Sequence, residues 1–263
     1  MGTYRPISLG VVDSPPHPIA VQHSPDVPLQ ILAGPGSGKT RVLTSRIAHL
    51  ILHPSSLLPP QNICAVTFTN KAANELKERL ERLIGRELAA KVKMGTFHSL
   101  CAGFLRRLGA QVGLESNFTV CDAEERYDSH DHLLHAPDLF FFPSKKIIAK
   151  LLEPFKPSLE SANISLKEGT VLSLISKAKA KGQSPDDFLL SSSRGSTNAL
   201  LDIDRTVAAI YKSYEEALRR ANALDFDDLL VFGVKLFREW PDSVGWCKHV
   251  LVDELYSIFR SFA

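Results

Sequence analysis

Cysteine is scarce in this chain: four residues in 263, at Cys64, Cys101, Cys121 and Cys247. No two of them stand at the short spacing of a metal or redox motif, which excludes zinc-finger and disulfide-framework readings. Cys64 and Cys101 fall in apolar stretches, where a thiol acts as a small buried hydrophobe, and such usage fits a reducing, intracellular setting. No run of about 18 apolar residues occurs, so a membrane-spanning helix is not expected. The N-terminal MGTYRPISLGVVDS lacks a basic segment followed by an apolar core, so neither is a secretory signal. There is no internal repeat, and the 15 Gly and 16 Pro follow no short period, which excludes collagen-like and low-complexity chains. An excess of one charge is missing too: 31 Lys+Arg against 29 Asp+Glu give +2, a balance that by itself announces no polyanion partner.

What is present is the composition of a globular protein, 44% hydrophobic and 23% charged, long enough for one large domain or two small ones. The charge is unevenly spread. Residues 141–182 hold eight Lys and three Glu, whereas 183–263 hold nine basic and thirteen acidic residues. Two readings of the Lys-rich stretch stand: a solvated helix face, or a surface that meets phosphates.

Residues 1–27 are polar and proline-rich and predict an irregular arm. From 28 to 114 an α/β rhythm follows. The apolar run Leu29–Ala33 predicts a strand; Leu43, Ile47, Leu50 and Ile51 form one helical stripe. Ile63–Thr67 predicts a second strand, with a helix carrying Ala73, Leu76, Leu80, Leu83 and Ile84. A third strand near Val92–Gly95 leads to a helix with Leu100, Cys101, Phe104, Leu105 and Leu108. Strand then helix, three times, predicts a parallel sheet with crossover helices. Residues 115–205 read as a mainly helical insertion, with Phe118–Cys121 the one clear strand-like piece. The α/β pattern returns over 206–254, where Val207, Ile210, Tyr211, Tyr214, Ala217 and Leu218 make a helix stripe and 249–252 a buried strand. Residues 255–263 form a divergent tail.

The strongest motif is Ala33-Gly34-Pro35-Gly36-Ser37-Gly38-Lys39-Thr40, placed where a strand ends and a helix opens. That is the context of a phosphate-binding P-loop. Its glycines let backbone N–H groups aim at phosphate oxygens, and the helix adds its positive end. Lys39 suits the β- and γ-phosphates of ATP, and the Thr40 hydroxyl suits Mg²⁺. Ala33 stands where the common consensus has Gly. A P-loop also needs a carboxylate on a neighbouring strand, and Val250-Leu251-Val252-Asp253-Glu254 offers two. Asp253 fits a Mg²⁺ ligand and Glu254 a group that polarises the attacking water.

With these residues in view, the chain resembles the N-terminal part of the UvrD/Rep/PcrA family of superfamily 1 DNA helicases. The resemblance rests on ordered blocks: ILAGPGSGKTRVLTSRIAHLI, AVTFTNKAANELKERL, VKMGTFHSLCAGFLRR, ALDFDDLL and VLVDE. KAKAKGQSPDDFL is similar to a stretch between the main blocks, closest to eukaryotic members. The TFTNKA and GTFHSL blocks separate this reading from a non-helicase P-loop NTPase. The resemblance implies a RecA-like α/β domain interrupted by a helical subdomain, ATP hydrolysis, and 3′-to-5′ translocation on single-stranded or 3′-tailed duplex DNA. It implies a base-stacking role for Phe68, a strand contact for Asn70, and DNA contacts for Thr96 and His98. From the residues alone, Phe68 also fits a core position, His98 a structural histidine, and Arg41 either a nucleotide contact or a solvated helix face. The DFDD run fits a helix N-terminal acidic cap or, by charge alone, a metal cluster.

Two departures bear on the expectation. The family's adenine-reading Gln precedes the P-loop in a Q-x-x-A-V pattern, and here His17 holds that place ahead of Ile19-Ala20-Val21. After Asp253-Glu254 the chain reads Leu255-Tyr256 rather than x-Q-D, and the second RecA-like domain with its γ-phosphate-clamping arginines is not in these 263 residues. An arginine finger is typically worth about 10³–10⁵ in rate. The expectation is therefore an ATP-binding helicase region that does not unwind DNA alone, with a catalytically inactive nucleotide- or DNA-binding fragment as the alternative. A nuclear location follows from the eukaryotic likeness.

Overall fold

A computed structural model describes residues 5–9, 18–34, 36–54, 58–121, 144–192 and 198–253. The chain forms two compact units, one of residues 1–100 with 241–261 and one built on 101–240.

In the first unit every strand pairing is parallel. Strand β1 (Arg5–Leu9) pairs with β2 (Leu29–Ala33), Ile7 opposite Ile31. A separate three-stranded sheet has the order β4 (Lys93–Thr96), β3 (Ile63–Thr67), β7 (His249–Val252). β3 is buried along its whole length, as a central parallel strand must be. Helix α1 (Pro18–Gln22) precedes β2, and α2 (Lys39–Leu52) follows it. α3 (Asn70–Ile84) and the short α4 (Arg86–Ala89) lie between β3 and β4, and α5 (Phe97–Leu108) follows β4. The core joins Ile47, Leu50 and Ile51 of α2 to Leu76, Leu80 and Ile84 of α3, over Ile63, Ala65 and Leu251 of the sheet. This is the burial expected of crossover helices whose apolar stripes face a parallel sheet.

The described parts of the first 27 residues, 5–9 and 18–27, depart from the irregular arm expected of them. Pro6 lies within the extended piece β1, Pro18 starts α1, and Arg46 of α2 secures α1. One Arg46 guanidinium nitrogen donates to the carbonyls of Ala20 (3.1 Å), Val21 (3.3 Å) and His23 (2.9 Å), at the helix's negative end.

The second unit is mainly helical. α6 (Ser144–Leu152), α7 (Lys156–Ser161), α8 (Glu168–Ala180), α9 (Pro185–Ser192), α10 (Asn198–Arg220) and α11 (Phe226–Glu239) surround a core that includes Ile148, Leu152, Val171, Ile175, Ile210 and Tyr214. A parallel pair, β5 (Thr119–Cys121) with β6 (Ala223–Asp225), completes it. β6 is too short to show alternation, and the sequence pattern passes over it. The stripe over Val207–Leu218 faces this helical core.

The DFDD run is a helix cap with an ionic partner. The Asp225 carboxylate accepts from the Asp228 N–H at 2.8 Å, and Asp228 reciprocates at 3.1 Å, a capping box at the start of α11. Lys179, 2% exposed, reaches both carboxylates at 2.8 and 2.6 Å and Glu215 at 2.7 Å. Burial opposes its charge, but these three carboxylates outweigh that and hold the ammonium well above its usual range. In the Lys-rich stretch, Lys145, Lys146, Lys150, Lys156, Lys167, Lys177 and Lys181 are exposed, as a solvated face requires, and Lys179 is the buried exception.

Candidate functional site

In parallel α/β sheets, ligands gather outside the carboxyl ends of the strands. Every motif of the first unit stands at such an end. The carboxyl end of β2 turns through Gly34–Gly38 into α2. Gly36 (φ 74°) and Gly38 (φ 81°) take left-handed conformations that a side chain strains. The Gly34 carbonyl gathers the loop about itself, accepting from Ser37 Oγ at 2.6 Å, Lys39 Nζ at 2.9 Å and the Ser37 N–H at 3.3 Å. The first turn of α2 adds backbone N–H groups that lack intrahelical acceptors, and the positive end of its dipole. A ring of donors and one ammonium at a helix N-terminus is built to receive an anion of phosphate geometry.

Beside the loop, Thr40 Oγ1 donates to Asp253 Oδ2 at 3.4 Å. Asp253 sits just past the end of β7, where its N–H donates to Val66 O at 2.8 Å and extends the ladder. Its carboxylate is 8% exposed, and among the described residues no Lys or Arg pairs with it. A hydroxyl and a buried carboxylate are hard oxygen donors of the kind that suits Mg²⁺. Arg41 is exposed on the next position of α2. Pro35, Glu254 and His17 lie outside the described residues.

Thr67 of β3 stands opposite Thr96 of β4, so the two remaining motifs emerge side by side. Phe68 follows Thr67 and is 44% exposed, outside the core that its residue type would otherwise predict. Asn70 opens α3 and is exposed. The turn that presents them is fixed twice: Thr67 Oγ1 donates to Thr69 O at 3.0 Å, and Thr69 Oγ1 caps α3 by accepting from the Ala72 N–H at 3.1 Å.

Thr96 is placed differently. It is buried, and its hydroxyl accepts from the Ser99 N–H at 3.2 Å while its own N–H donates to Ser99 Oγ at 3.0 Å. That reciprocal pair caps α5. The preceding Gly95 leaves room for it, since a Cβ there would stand 2.7 Å from Ser99 Oγ. His98 is half-buried, and burial lowers its pKa, so the ring is neutral at neutral pH.

Arg46 and Lys179 were not singled out by motif, yet both leave a trace in the sequence. Arg46 falls at four-residue spacing between Val42 and Leu50, and Lys179 at the same spacing after Val171 and Ile175. A cation on an apolar stripe is a sign of a buried, partnered charge.

A glycine loop between a parallel strand and a helix, with a carboxylate at the end of a second parallel strand, defines a P-loop nucleotide-binding α/β protein. The model of the UvrD/REP helicase N-terminal domain matches residues 15–256, and the chain belongs to that family. It is 36% identical over 230 residues to the ATP-dependent DNA helicase SRS2 of Saccharomyces cerevisiae, a match spanning 86% of this chain and 18% of the relative. It is 37% identical over 234 residues to the ATP-dependent DNA helicase PcrA of Staphylococcus epidermidis, spanning 86% and 27%. It is 34% identical over 240 residues to srs2 of Schizosaccharomyces pombe, spanning 90% and 25%. The chain thus spans about a fifth to a quarter of the length of these relatives.

Proposed function

We propose that this chain binds Mg²⁺-ATP at the Gly34–Thr40 loop and serves as the ATP-binding region of a 3′-to-5′ DNA helicase that moves on single-stranded or 3′-tailed DNA. The observation that carries the reading is the Thr40–Asp253 pair, which joins the helix after the glycine loop to the end of the β7 strand. In this reading the loop N–H groups and the Lys39 ammonium hold the β- and γ-phosphates. Thr40 and Asp253 hold the cation, which when bound screens the phosphate charge. Glu254 orients and deprotonates the attacking water.

On the neighbouring strand ends, Phe68 offers a face for base stacking, which suits a sequence-neutral track because every base has one. Asn70 offers polar contacts to the same strand. Thr96 enters as a positioning residue that caps α5 and sets where His98 stands. The 263 residues are asked to bind nucleotide and DNA; strand separation is assigned to the full-length relatives' architecture.

The test is nucleotide titration by calorimetry with Mg²⁺ present. Lys39→Ala should weaken ATP binding at least about tenfold, the cost of one charge-assisted bond, with the far-ultraviolet circular dichroism unchanged. Equal affinity in the two proteins would overturn the reading. Hydrolysis that single-stranded DNA fails to stimulate would favour a P-loop NTPase without a DNA track.

A further inference from the structure

Helix α2 starts at the glycine loop and ends on two histidines, His49 in its last turn and His53 as its C-cap. Residues four apart on a helix are surface neighbours. The His53 N–H donates to His49 O at 2.9 Å, and the His53 φ of −76° is close to a helical value. Its Cβ therefore keeps the helical register, although ψ has already turned to 131° and leads the chain away. The two rings are adjacent, with centroids 4.4 Å apart and planes tilted by 34°. His49 is half-buried and His53 exposed, so solvent reaches the pair.

We propose that His49 and His53 form a chelating site for a tetragonal transition-metal ion, Cu²⁺ or Ni²⁺. Two imidazoles at this helical spacing can bind one metal between them. The ring separation bears on which metal. An ion about 2.1 Å from one nitrogen of each ring stands roughly 3.2 Å from each centroid, and a right angle at the ion then sets the centroids about 4.5 Å apart. A tetrahedral angle sets them about 5.2 Å apart. The observed 4.4 Å matches the right-angled coordination of Cu²⁺ and Ni²⁺ better than the tetrahedral coordination of Zn²⁺.

The surroundings set the strength of the site. The negative end of α2 favours a cation there. Arg46, one turn earlier, opposes it, but its guanidinium is drawn onto the carbonyls at the end of α1. Burial, then His53 and Arg46, lower the pKa of His49, so the ring is neutral at neutral pH, the form that coordinates. Among the described residues no cluster of three or more His, Cys, Asp or Glu stands ready for a metal. The site is thus bidentate, with water in the remaining positions and an ion that exchanges. Mg²⁺ prefers oxygen donors and has no claim on it. The pair lies at the opposite end of α2 from Lys39 and Thr40, so this inference does not depend on the nucleotide reading.

The experiment strips the full 263-residue chain of metal with a chelator and adds Ni²⁺ in steps. Protection from diethylpyrocarbonate is then read at each of the nine histidines by peptide mass spectrometry, which keeps this pair apart from any other histidine that takes metal. The expected result is that His49 and His53 become protected together, over one range of Ni²⁺, and that Mg²⁺ protects neither. Zn²⁺ should protect them only at a higher concentration than Ni²⁺. His53→Ala should move the protection of His49 to at least about tenfold more Ni²⁺, because the second imidazole no longer acts at high effective concentration. Protection confined to other histidines, protection of His49 and His53 at separate Ni²⁺ concentrations, or a His49 response unchanged in His53→Ala would each overturn the proposal. Protection by Zn²⁺ at a lower concentration than Ni²⁺ would overturn the assignment of the metal. The titration of the unsubstituted chain decides the matter even where the variant fails to fold.

Discussion

Phe68 shows how one residue's place departs from its type. Phenylalanine is a core residue by habit, and the apolar run Ile63–Thr67 just before it is fully buried. The chain leaves the strand at Thr67, however, and Phe68 falls on the turn before α3, 44% exposed and with the Thr67 and Thr69 hydroxyls stiffening its backbone. If it stacks on bases, Phe68→Ala should weaken single-strand binding by roughly 1–3 kcal/mol in fluorescence anisotropy and leave the thermal midpoint nearly unchanged. A core role would give the opposite pattern, a lower midpoint with unaltered DNA binding.

At this scale the sequence was legible where chemistry is tied to spacing. The glycine loop, Lys39 and Thr40 could be read because their steps along the chain are fixed, and Asp253 because it ends an apolar, strand-like run; Thr40 and Asp253 do meet. Thr96 was not legible, because a threonine hydroxyl serves a helix cap or a ligand equally well. Only its partner Ser99 decides between them.

Among the elements, the long amphipathic helices and the strands β3 and β7 were plain from their apolar stripes and runs, but only β3 is buried throughout; in β7, expected to be buried, Leu251 alone is buried and Val250 is exposed. β1 and β6 escaped. β1 sits in a proline-rich stretch whose composition outvotes five extended residues, and β6 has three. The element with the most dependents is the N-terminus of α11. Its cap residues Asp225 and Asp228 also hold Lys179 of α8, and Tyr214 of α10 donates to Asp225 at 3.0 Å. Removing the cation leaves buried carboxylates facing one another. Lys179→Met should therefore destabilise the chain by about 3–5 kcal/mol, read as a lower urea midpoint with an unchanged slope. A midpoint within error of the parent would show that the network is an isolated surface-like pair worth little.

For the whole molecule, acidity supplies a test that no single substitution does. Burial lowers the pKa of His49, His98 and His249, all in the first unit. A base whose folded pKa lies below its unfolded value of about 6.5 binds fewer protons when folded. Its contribution is fully present above that value and is lost as pH falls through the folded pKa. Thermal midpoints should thus drop between about pH 7 and pH 5.5, and His98→Gln should flatten part of that drop. A midpoint that rises over this interval would contradict the burial of these rings. The attachment made by Arg46 obeys a different law. A guanidinium keeps its proton at any pH a protein survives, and carbonyl oxygens have none to exchange. Helix α1, ahead of the glycine loop, is therefore fastened by a rivet that acidity cannot reach, so mild acid loosens the surroundings of this joint before the joint itself.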